Sequence, residues 1–327
     1  MKVAGIILGG AHVWKEAAFD SLGPRLLLPV ANAPLVGYTL AWLRSGGVRA
    51  VVLCANEGVH PLQAALADGH GHGCELFYAV DRVPRGPAGA ARDAVGLCPA
   101  AHYVVVEGSL IPRLPLADLL AAHVAAGAAA TIAVAADPAE DDEPVGVFMF
   151  ARPALELVPP TGFHDLKEML IPQLHAAGRP VQTWPAPTSA PRVHDLASYL
   201  AAQAWALAQV GAGVFSRADY RWANGVGVHR TARVAAGARL LGPVMVGPAS
   251  RVAAAASFVG PVVVGAGCRL ESDCLVTDAV LWDRCTVGVG VRVEAAVLAT
   301  GAAVAGPRVV RGIVSASRAR PHVLAAR

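Results

Sequence analysis

The chain has 327 residues, of which 55% are hydrophobic, 16% are charged and 6% are aromatic. A chain of this length is expected to fold into about two domains and to bury a substantial core. The high apolar share excludes an intrinsically disordered chain, because such chains are poor in apolar residues and rich in charge. The formal net charge of +3, without any run of basic residues, also argues against a nucleic-acid-binding surface.

Cellular location is the next property that the sequence addresses. The longest uncharged stretch, residues 196–216, is rich in alanine and is interrupted by glutamine and glycine. This composition predicts a buried helix followed by a linker and not a membrane span. The N-terminus has no long apolar segment with a cleavage site, and the six cysteines form no CxxC pair. We therefore expect a cytoplasmic protein with reduced thiols and no membrane contact.

The first 210 residues alternate short apolar runs with helical patterns. The predicted strands are residues 3–8, 50–54, 75–80, 102–107 and 130–135, and the predicted helices are residues 35–46, 61–67, 88–95 and 116–126. Strands that alternate with helices indicate an α/β, Rossmann-like domain with a mostly parallel sheet and helices on both faces. Ligands bind such sheets at the carboxyl ends of the strands.

A different period begins after residue 222, where an apolar residue recurs at every sixth position. The series consists of Val228, Val234, Leu240, Val246, Val252, Phe258, Val264, Leu270 and Val276, and Trp282 continues it. A hexapeptide period predicts a parallel β-helix, in which three hexapeptides make one triangular coil. The frame of the repeat is expected to slip from Gly288. Flat faces of such solenoids are suited to self-association, so an oligomer is expected.

These two periods define the predicted domain organisation. Residues 1–210 form the α/β domain, residues 211–225 a linker, residues 226–312 the β-helix and residues 313–327 a tail.

Several segments together resemble the sugar-1-phosphate nucleotidylyltransferases, the family that includes mannose-1-phosphate guanylyltransferase. They are residues 5–10 (GIILGG), 24–47 (beginning PRLLLPVANAPL), 86–91 (GPAGAA) and 104–109 (VVVEGS), followed by the hexapeptides. The resemblance implies a nucleotide-binding α/β domain joined to a left-handed β-helix. It also implies a reaction in which a sugar-1-phosphate attacks the α-phosphate of a nucleoside triphosphate and releases pyrophosphate. Such chemistry needs glycine-rich backbone near the phosphates, fixed cations and carboxylates that hold Mg²⁺.

The resemblance implies nucleotide binding by Gly9 and Gly10, and by Gly86 and Gly89. The family continues the first glycine pair with a Gly-Thr-Arg element that this chain lacks. Lys15, one position later than the family arginine, either replaces that cation or is a solvated loop lysine.

The first lysine of the family motif is replaced by Arg25, which keeps the charge and is a candidate phosphate contact. The second lysine of that motif is replaced by Ala33.

The metal positions that the resemblance implies are degenerate. Ser109 stands where the family has its first aspartate, and serine is neutral and a weak ligand for Mg²⁺. A gap-free alignment places Arg192 at the second aspartate, whereas Asp195 fits there only if three residues are deleted. An arginine at a ligand position repels a cation, so we expect no bound metal.

A further element of the family is absent from the sequence. Family members have some thirty residues, including a Val-Glu-Lys-Pro element that holds the sugar, where this chain passes through an acidic run, residues 140–143, to a strand that begins at Pro144. The acidic run is interpreted as a solvated loop. Residues 70–74 (HGHGC) are interpreted as a turn and not as a metal site.

Two functions follow from these substitutions. The first is a non-catalytic paralogue that has a regulatory or scaffolding role in sugar-nucleotide metabolism, binds a nucleotide or sugar nucleotide, and assembles with itself or with an active paralogue. The alternative is an active, divergent transferase that uses Mg²⁺ and produces a nucleotide sugar and pyrophosphate. The simultaneous loss of cations, carboxylates and the sugar element favours the first.

Overall fold

The computed structural model of the chain describes residues 2–10, 22–55, 59–80, 84–136, 144–187, 191–211 and 218–315. Its contacts divide into two compact units: the first contains most of the chain up to Arg192, and the second runs from Val193 and also takes in Pro29–Ala33. None of the described helices is long and apolar enough to span a membrane.

The helices of the first unit alternate with its strands. They are α1 (Leu35–Ser45), α2 (Val59–Leu66), α3 (Gly86–Leu97), α4 (Leu116–Ala125), α5 (Arg152–Glu156) and α6 (Ile171–Ala176). Short 3₁₀ turns lie at Arg25–Leu27 and His70–His72, and a π-helical turn at Leu166–Leu170 precedes α6. The four helices predicted from sequence are confirmed, with bounds that differ by up to two residues.

The strands are β1 (Val3–Leu8), β2 (Pro29–Val30), β3 (Ala33–Pro34), β4 (Ala50–Ala55), β5 (Glu75–Val80), β6 (His102–Glu107), β7 (Ala130–Ala135), β8 (Pro144–Ala151) and β9 (Val181–Ala186). Seven of them form one sheet in the order β5-β4-β1-β6-β8-β7-β9, while β2 pairs with β3. All neighbours in the large sheet are parallel except β8, which runs antiparallel to β6 and β7. The predicted mostly parallel sheet is confirmed.

Alternating side chains of the sheet build a core on each face. In β1, Ile6 and Leu8 pack into the core on one face, and Ile7 packs into the core on the other. Helices α3 and α5 contribute to the first core, and α1, α2 and α4 to the second. Strands that are apolar on both faces therefore read as continuous apolar runs, as expected for a sheet covered by helices on both sides.

The carboxyl ends of three central strands lie side by side. Leu8 at the end of β1 is in register with Cys54 of β4 and with Glu107 of β6. The amide of Gly9 donates to the carbonyl of Cys54 at 2.7 Å, and the amide of Gly108 donates to the carbonyl of Leu8 at 2.9 Å. The chain therefore leaves these strands along one edge of the sheet, where doubly wound folds bind their ligands.

From Val193 onward, the described part of the second unit contains α7 (Leu196–Gly211) and thirteen short strands. These are β10 (Tyr220–Ala223), β11 (Val226–His229), β12 (Arg233–Val234), β13 (Arg239–Leu241), β14 (Val244–Val246), β15 (Arg251–Val252), β16 (Ser257–Val264), β17 (Arg269–Leu270), β18 (Leu275–Leu281), β19 (Thr286–Val287), β20 (Arg292–Leu298), β21 (Ala303–Val304) and β22 (Val309–Val314). Apart from the antiparallel pair β10–β11, the strands pair in parallel within two sheets. This stacking of parallel strands is a β-helix.

Register in the β-helix shows where its repeat changes. Arg233, Arg251 and Arg269 are partners in successive coils, and all three side chains are exposed. The following partner of Arg269 is Thr286, which is one residue earlier than an eighteen-residue coil would place it. The corner at Gly260-Pro261 is replaced in the next coil by the single residue Asp278.

This shortened corner corrects the predicted hexapeptide series at its end. Leu281 and not Trp282 enters the core after Val276, so the frame slips before Gly288. Trp282 instead donates its indole N–H to the hydroxyl of Tyr199 at 3.0 Å. The physical reason is that a coil one residue shorter moves the inward-facing position back by one.

Helix α7 packs within the second unit, where it contacts β16, β18 and β20. Its Gln203 side chain holds the segment Pro29–Ala33 by accepting from the amide of Ala31 at 2.8 Å and donating to the carbonyl of Pro29 at 2.7 Å. The predicted domain boundary lay after this helix, and the contacts group the helix with the β-helix. Residues 212–217 of the predicted linker and residues 316–327 of the predicted tail lie outside the described residues, and β10 lies within the described part of the linker. Both assignments stay predictions.

Candidate functional site

A cavity of about 220 Å³ opens at the carboxyl ends of β1, β4 and β6. Its lining within the described residues consists of Leu8, Gly10, Cys54, Pro84, Gly86, Pro87, Ala90, Glu107, Phe148, Phe163, Asp165, Leu166 and Lys167. The wall is mainly apolar, with Glu107, Asp165 and Lys167 as its charged groups. An apolar cleft with a few polar groups at this edge of the sheet is typical of a ligand site.

Of the first predicted glycine pair, Gly10 lines the cavity, whereas Gly9 serves packing. A Cβ atom on Gly9 would lie 2.7 Å from Cδ1 of Leu26, and one on Gly108 would lie 2.6 Å from Cδ2 of the same leucine. The buried Leu26 side chain therefore needs a bare backbone on both sides. Nucleotide contact by Gly9 and Gly10 stays a prediction.

Of the second predicted glycine pair, Gly86 lines the cavity and Gly89 is not among its described lining residues. Gly86 lines the cavity at the start of α3, with a φ of +73° and space for no side chain, since a Cβ there would lie 2.5 Å from the carbonyl oxygen of His164. Gly89 faces Arg85 instead, whose Cβ would be 2.6 Å from an added Cβ. The close approach at Gly86 holds the segment that carries Phe163 against α3, because the amide of Ala88 donates to the carbonyl of His164 at 3.0 Å.

The predicted cations are placed differently. Arg25 is buried in its 3₁₀ turn and is not among the described residues that line the cavity. Lys15 and the acidic run at residues 140–143 lie outside the described residues. His70–His72 forms the expected exposed turn, in which His70 pairs with Asp68 at 3.0 Å.

A cluster of three charged side chains lies at the end of β6; we refer to Glu107, Arg192 and Lys167 as the Glu107 cluster. Glu107 and Lys167 line the cavity, whereas Arg192 is not among its described lining residues and joins the cluster through its contact with Glu107. Nη1 of Arg192 donates to Oε2 of Glu107 at 2.5 Å, and Nζ of Lys167 lies 3.5 Å from Oε1. The carboxylate is buried, whereas the side chains of Arg192 and Lys167 are 32% and 42% exposed. The ammonium group also lies 6.0 Å from the ring centre of Phe148. Each carboxylate oxygen therefore faces a cation of the protein.

Local structure fixes each member of the Glu107 cluster. Glu107 is the last residue of β6, and Leu110 just beyond it forms an antiparallel bridge with Arg192. Lys167 lies in the π-helical turn, whose first amides are capped by Asp165: its Oδ1 accepts from the amides of Lys167 at 2.6 Å and of Glu168 at 2.9 Å. The cluster is therefore built from three separate segments of the first unit.

Gly146 in β8 leaves room for this arrangement. Its φ is +82°, and a Cβ atom there would lie 2.7 Å from Oε2 of Glu107 and 3.1 Å from Nη2 of Arg192. Any side chain at this position would press on the ion pair.

The residues at the predicted metal positions do not fit Mg²⁺. Ser109 is 2% exposed, and its hydroxyl has no hydrogen-bond partner within the described residues. Arg192 brings a positive charge to the second position, and Glu107 already uses both oxygens for cations. Proteins usually hold magnesium through one or two carboxylates, and the carboxylate in this set is already paired with two cations. The described residues contain no group of three or more His, Cys, Asp or Glu side chains arranged to hold a metal ion.

Asp195, the other candidate for the second position, has a structural role. Its Oδ1 accepts from the amide of Ser198 at 2.8 Å and from the Ser198 hydroxyl at 2.6 Å, while Oδ2 lies 3.4 Å from Nε2 of His194. These contacts cap the start of α7, where the first amides of a helix lack partners.

Sequence reasoning missed Lys167. Its signal is compositional: Lys2, Lys15 and Lys167 are the lysines of a chain that otherwise uses arginine for positive charge. A lysine kept against that drift is a candidate for a position where a compact ammonium is needed.

Comparisons with known proteins concern mainly the first part of the chain. Residues 21–155, which include most of the large sheet, match the profile of the family described as Nucleotidyl transferase. This part of the chain is similar to the nucleotidyl transferase family. The resemblance to sugar-1-phosphate nucleotidylyltransferases is thereby confirmed at the level of family.

Two characterised relatives align with part of the chain. The low-salt glycan biosynthesis nucleotidyltransferase Agl11 of Haloferax volcanii is 31% identical over 120 residues, which are 36% of this chain and 33% of that protein. The mannose-1-phosphate guanylyltransferase of Mycobacterium tuberculosis is 23% identical over 122 residues, which are 37% of this chain and 34% of that protein. The chain thus spans about a third of the length of these relatives.

A solved structure shares the fold. The crystal structure of a protein from Bacillus anthracis, described as a glucose-1-phosphate thymidylyltransferase, superposes with a TM-score of 0.53 at 15% identity. The match covers 62% of this chain and 95% of that chain. At this identity the likeness shows the fold alone.

Proposed function

We propose that this chain is a non-catalytic member of the family. In this role it binds a nucleotide or nucleotide sugar in the cavity at the end of β6 and serves sugar-nucleotide metabolism as a regulatory or scaffolding subunit. The observation that carries the proposal is the ion pair between Arg192 and Glu107, because the resemblance implies a metal-binding aspartate at the position of Arg192.

The electrostatics favour binding over transfer. Joining a nucleoside triphosphate to a sugar phosphate brings two polyanions together, and enzymes of this kind rely on positioned cations for that step. A magnesium ion would have to displace both Arg192 and Lys167 from Glu107 to gain one carboxylate, and Ser109 would add only a neutral ligand. The two organic cations still attract a phosphate.

The cavity has features that suit a nucleotide without the reaction. Gly10 and Gly86 keep the backbone open at the cavity wall, and the ring of Phe163, 60% exposed, is available for stacking on a base. Both aligned relatives are named as nucleotidyltransferases, and one name specifies a sugar phosphate. These features support a nucleotide or nucleotide sugar as the ligand.

Assembly and location form part of the proposal. Leu241 and Val259 are partners in adjacent coils of the β-helix and both are exposed, which suits an apolar contact between subunits, either two copies or this chain and an active paralogue. The six cysteines are free thiols, which supports a cytoplasmic location.

Pyrophosphate release tests the proposal directly. The full chain is incubated with Mg²⁺ and every combination of the common nucleoside triphosphates and hexose-1-phosphates, beside an active family member as positive control. We expect release at the level of the buffer blank, together with a thermal shift on adding nucleotide. Turnover with any pair would show an active, divergent transferase and refute the non-catalytic role.

A further inference from the structure

Two cations and one carboxylate meet at the end of β6, so the Glu107 cluster has a formal net charge of +1. We propose that this cluster is a metal-independent site for the diphosphate group of a nucleotide, in which Arg192 and Lys167 contact the phosphate oxygens and Glu107 positions both cations. The inference rests on the proposed function and deepens it, since it names the group that binds and the residues that bind it.

Unused donors make this binding feasible. Among the described residues, the side chain of Arg192 donates through Nη1 to Glu107, and the ammonium of Lys167 lies 3.5 Å from the same carboxylate and 6.0 Å from the ring centre of Phe148. A guanidinium has five N–H donors and an ammonium has three. Most donors of both side chains are therefore free to meet phosphate oxygens, which favour charged N–H donors in such pairs.

The arrangement is also held in advance. The ion pair fixes the guanidinium, and the Asp165 cap fixes the turn that carries Lys167. Two long side chains that are already ordered lose less conformational entropy when a ligand arrives. Glu107 therefore acts as a positioning residue that touches the cations and not the phosphate.

A divalent cation and this cluster exclude each other electrostatically. A magnesium ion bound to a diphosphate neutralises part of the charge that Arg192 and Lys167 would bind, and it adds a third cation to their surroundings. A family site built around Mg²⁺ would show the reverse dependence. The effect of Mg²⁺ on ligand affinity therefore distinguishes the two kinds of site by its sign.

Isothermal titration of the full chain provides that measurement. Inorganic pyrophosphate and GTP are each titrated in buffer with EDTA and again with excess Mg²⁺. We expect binding in EDTA and an affinity lower by about three- to tenfold in Mg²⁺, as the ligand loses charge. Binding that requires Mg²⁺ would overturn the metal-independent site and leave the non-catalytic role standing, whereas turnover in the pyrophosphate assay would refute that role separately. Binding in neither buffer would overturn the site.

Alanine variants identify the cations. Arg192→Ala and Lys167→Ala should each weaken pyrophosphate binding by about tenfold or more, the usual loss for a hydrogen bond to a charged group. Arg179→Ala is the matched control, because it removes an exposed positive charge from the same unit away from the cavity lining. Equal effects of all three variants would reduce the site to general attraction and overturn it.

Glu107→Gln gives the sharpest distinction. If Glu107 only positions cations, its neutralisation raises the cluster charge from +1 to +2, and pyrophosphate should bind at least as tightly as to the unmodified chain. Pyrophosphate should also raise the melting temperature of this variant by more than that of the unmodified chain, because it supplies the missing negative charge. Loss of binding in a variant that retains a cooperative melt would contradict the positioning role.

Discussion

The two ends of strand β6 carry polar clusters of opposite character. At its first residue, His102 contacts His123 between Nδ1 and Nε2 at 3.1 Å, and His123 contacts the Thr131 hydroxyl through Nδ1 at 2.8 Å. Gln182 completes this histidine network by donating to the same hydroxyl at 3.0 Å. The Glu107 cluster at the last residue is charged, and within the described residues several N–H donors of Arg192 and Lys167 have no protein acceptor. The side chains of the histidine network are hydrogen-bonded to one another, which suits a role in folding. The charged side chains of the Glu107 cluster are partly exposed, which suits a role in ligand binding.

The largest expected effect is a loss of stability at low pH, caused by the histidine network at the start of β6. Burial, followed by the neighbouring His102, lowers the pKa of His123 to about 4. The folded chain therefore binds fewer protons than the unfolded chain between pH 6.5 and 4, and stability falls as the pH falls through that range. We expect about 3 kcal/mol less unfolding free energy at pH 4 than at pH 7 from this residue.

Urea unfolding of the unmodified chain and of His123→Leu at both pH values measures this difference. The variant should lose about 3 kcal/mol less between the two pH values, whatever its stability at neutral pH. His70→Gln, at an exposed turn, is the control and should keep the full pH dependence. An equal pH dependence in His123→Leu would show that the histidine network does not govern acid stability.

The next largest effect is a loss of stability when the Glu107 cluster is disrupted. Glu107→Leu removes the carboxylate and leaves Arg192 and Lys167 beside each other. We expect the free energy of unfolding to fall by about 2–3 kcal/mol. The loss is smaller than for a fully buried pair because both cations are partly exposed. Added salt should recover part of the loss by screening the two cations. Urea midpoints at low and high salt measure this. A loss that is independent of salt would assign the effect to packing instead of charge.

Gly127 and Gly146 allow the cost of an added side chain to be compared near the histidine network and beside the Glu107 cluster. Gly127, near the histidine network, has a φ of +55° and open space around an added Cβ, whereas Gly146 has a φ of +82° and a Cβ position 2.7 Å from Glu107. Gly127→Ala should cost about 1 kcal/mol for the left-handed backbone. Gly146→Ala should cost about 1–2 kcal/mol more because it also displaces the ion pair. Equal melting temperatures for the two variants would contradict the close approach at Gly146.

The smallest expected effect is a gain in affinity for GTP in the presence of Mg²⁺. Changing Ser109→Asp and Arg192→Asp together restores carboxylates at both predicted metal positions. Titration with GTP should then show affinity that rises about three- to tenfold with Mg²⁺, opposite to the unmodified chain. Ser109→Asp alone keeps the repelling guanidinium and serves as control. An unchanged response to Mg²⁺ in the double variant would mean that these positions do not converge on one ion.

Much of the fold was predictable because the core is periodic. The bounds of β1, β5, β6 and β7 match the apolar runs residue for residue, since each run ends where the sheet meets polar loops. Trp282 shows the limit of such patterns. Counting in steps of six assumes that every corner of the β-helix has the same number of residues. One corner has the single residue Asp278, and Leu281 therefore enters the core instead of Trp282.

The site was predictable only in part. Ser109 and Arg192 could be found as departures from a family motif, because a substitution at a known position is visible in one sequence. The contact of Lys167 with Glu107 joins residues sixty positions apart in the chain, and no local pattern encodes that approach. Asp195 could not be assigned from sequence either, because capping a helix and holding a metal call for the same side chain.

The exposed arginines at positions 233, 251 and 269 have a consequence for how copies of this chain meet. Partners in adjacent parallel strands lie about 4.8 Å apart, so this face of the β-helix is a row of like charges. Two such faces repel each other, and a twofold dimer built on them would set arginine against arginine. Contact between two copies of this chain on that face would therefore cost electrostatic energy, and contact with a carboxylate-rich surface would not.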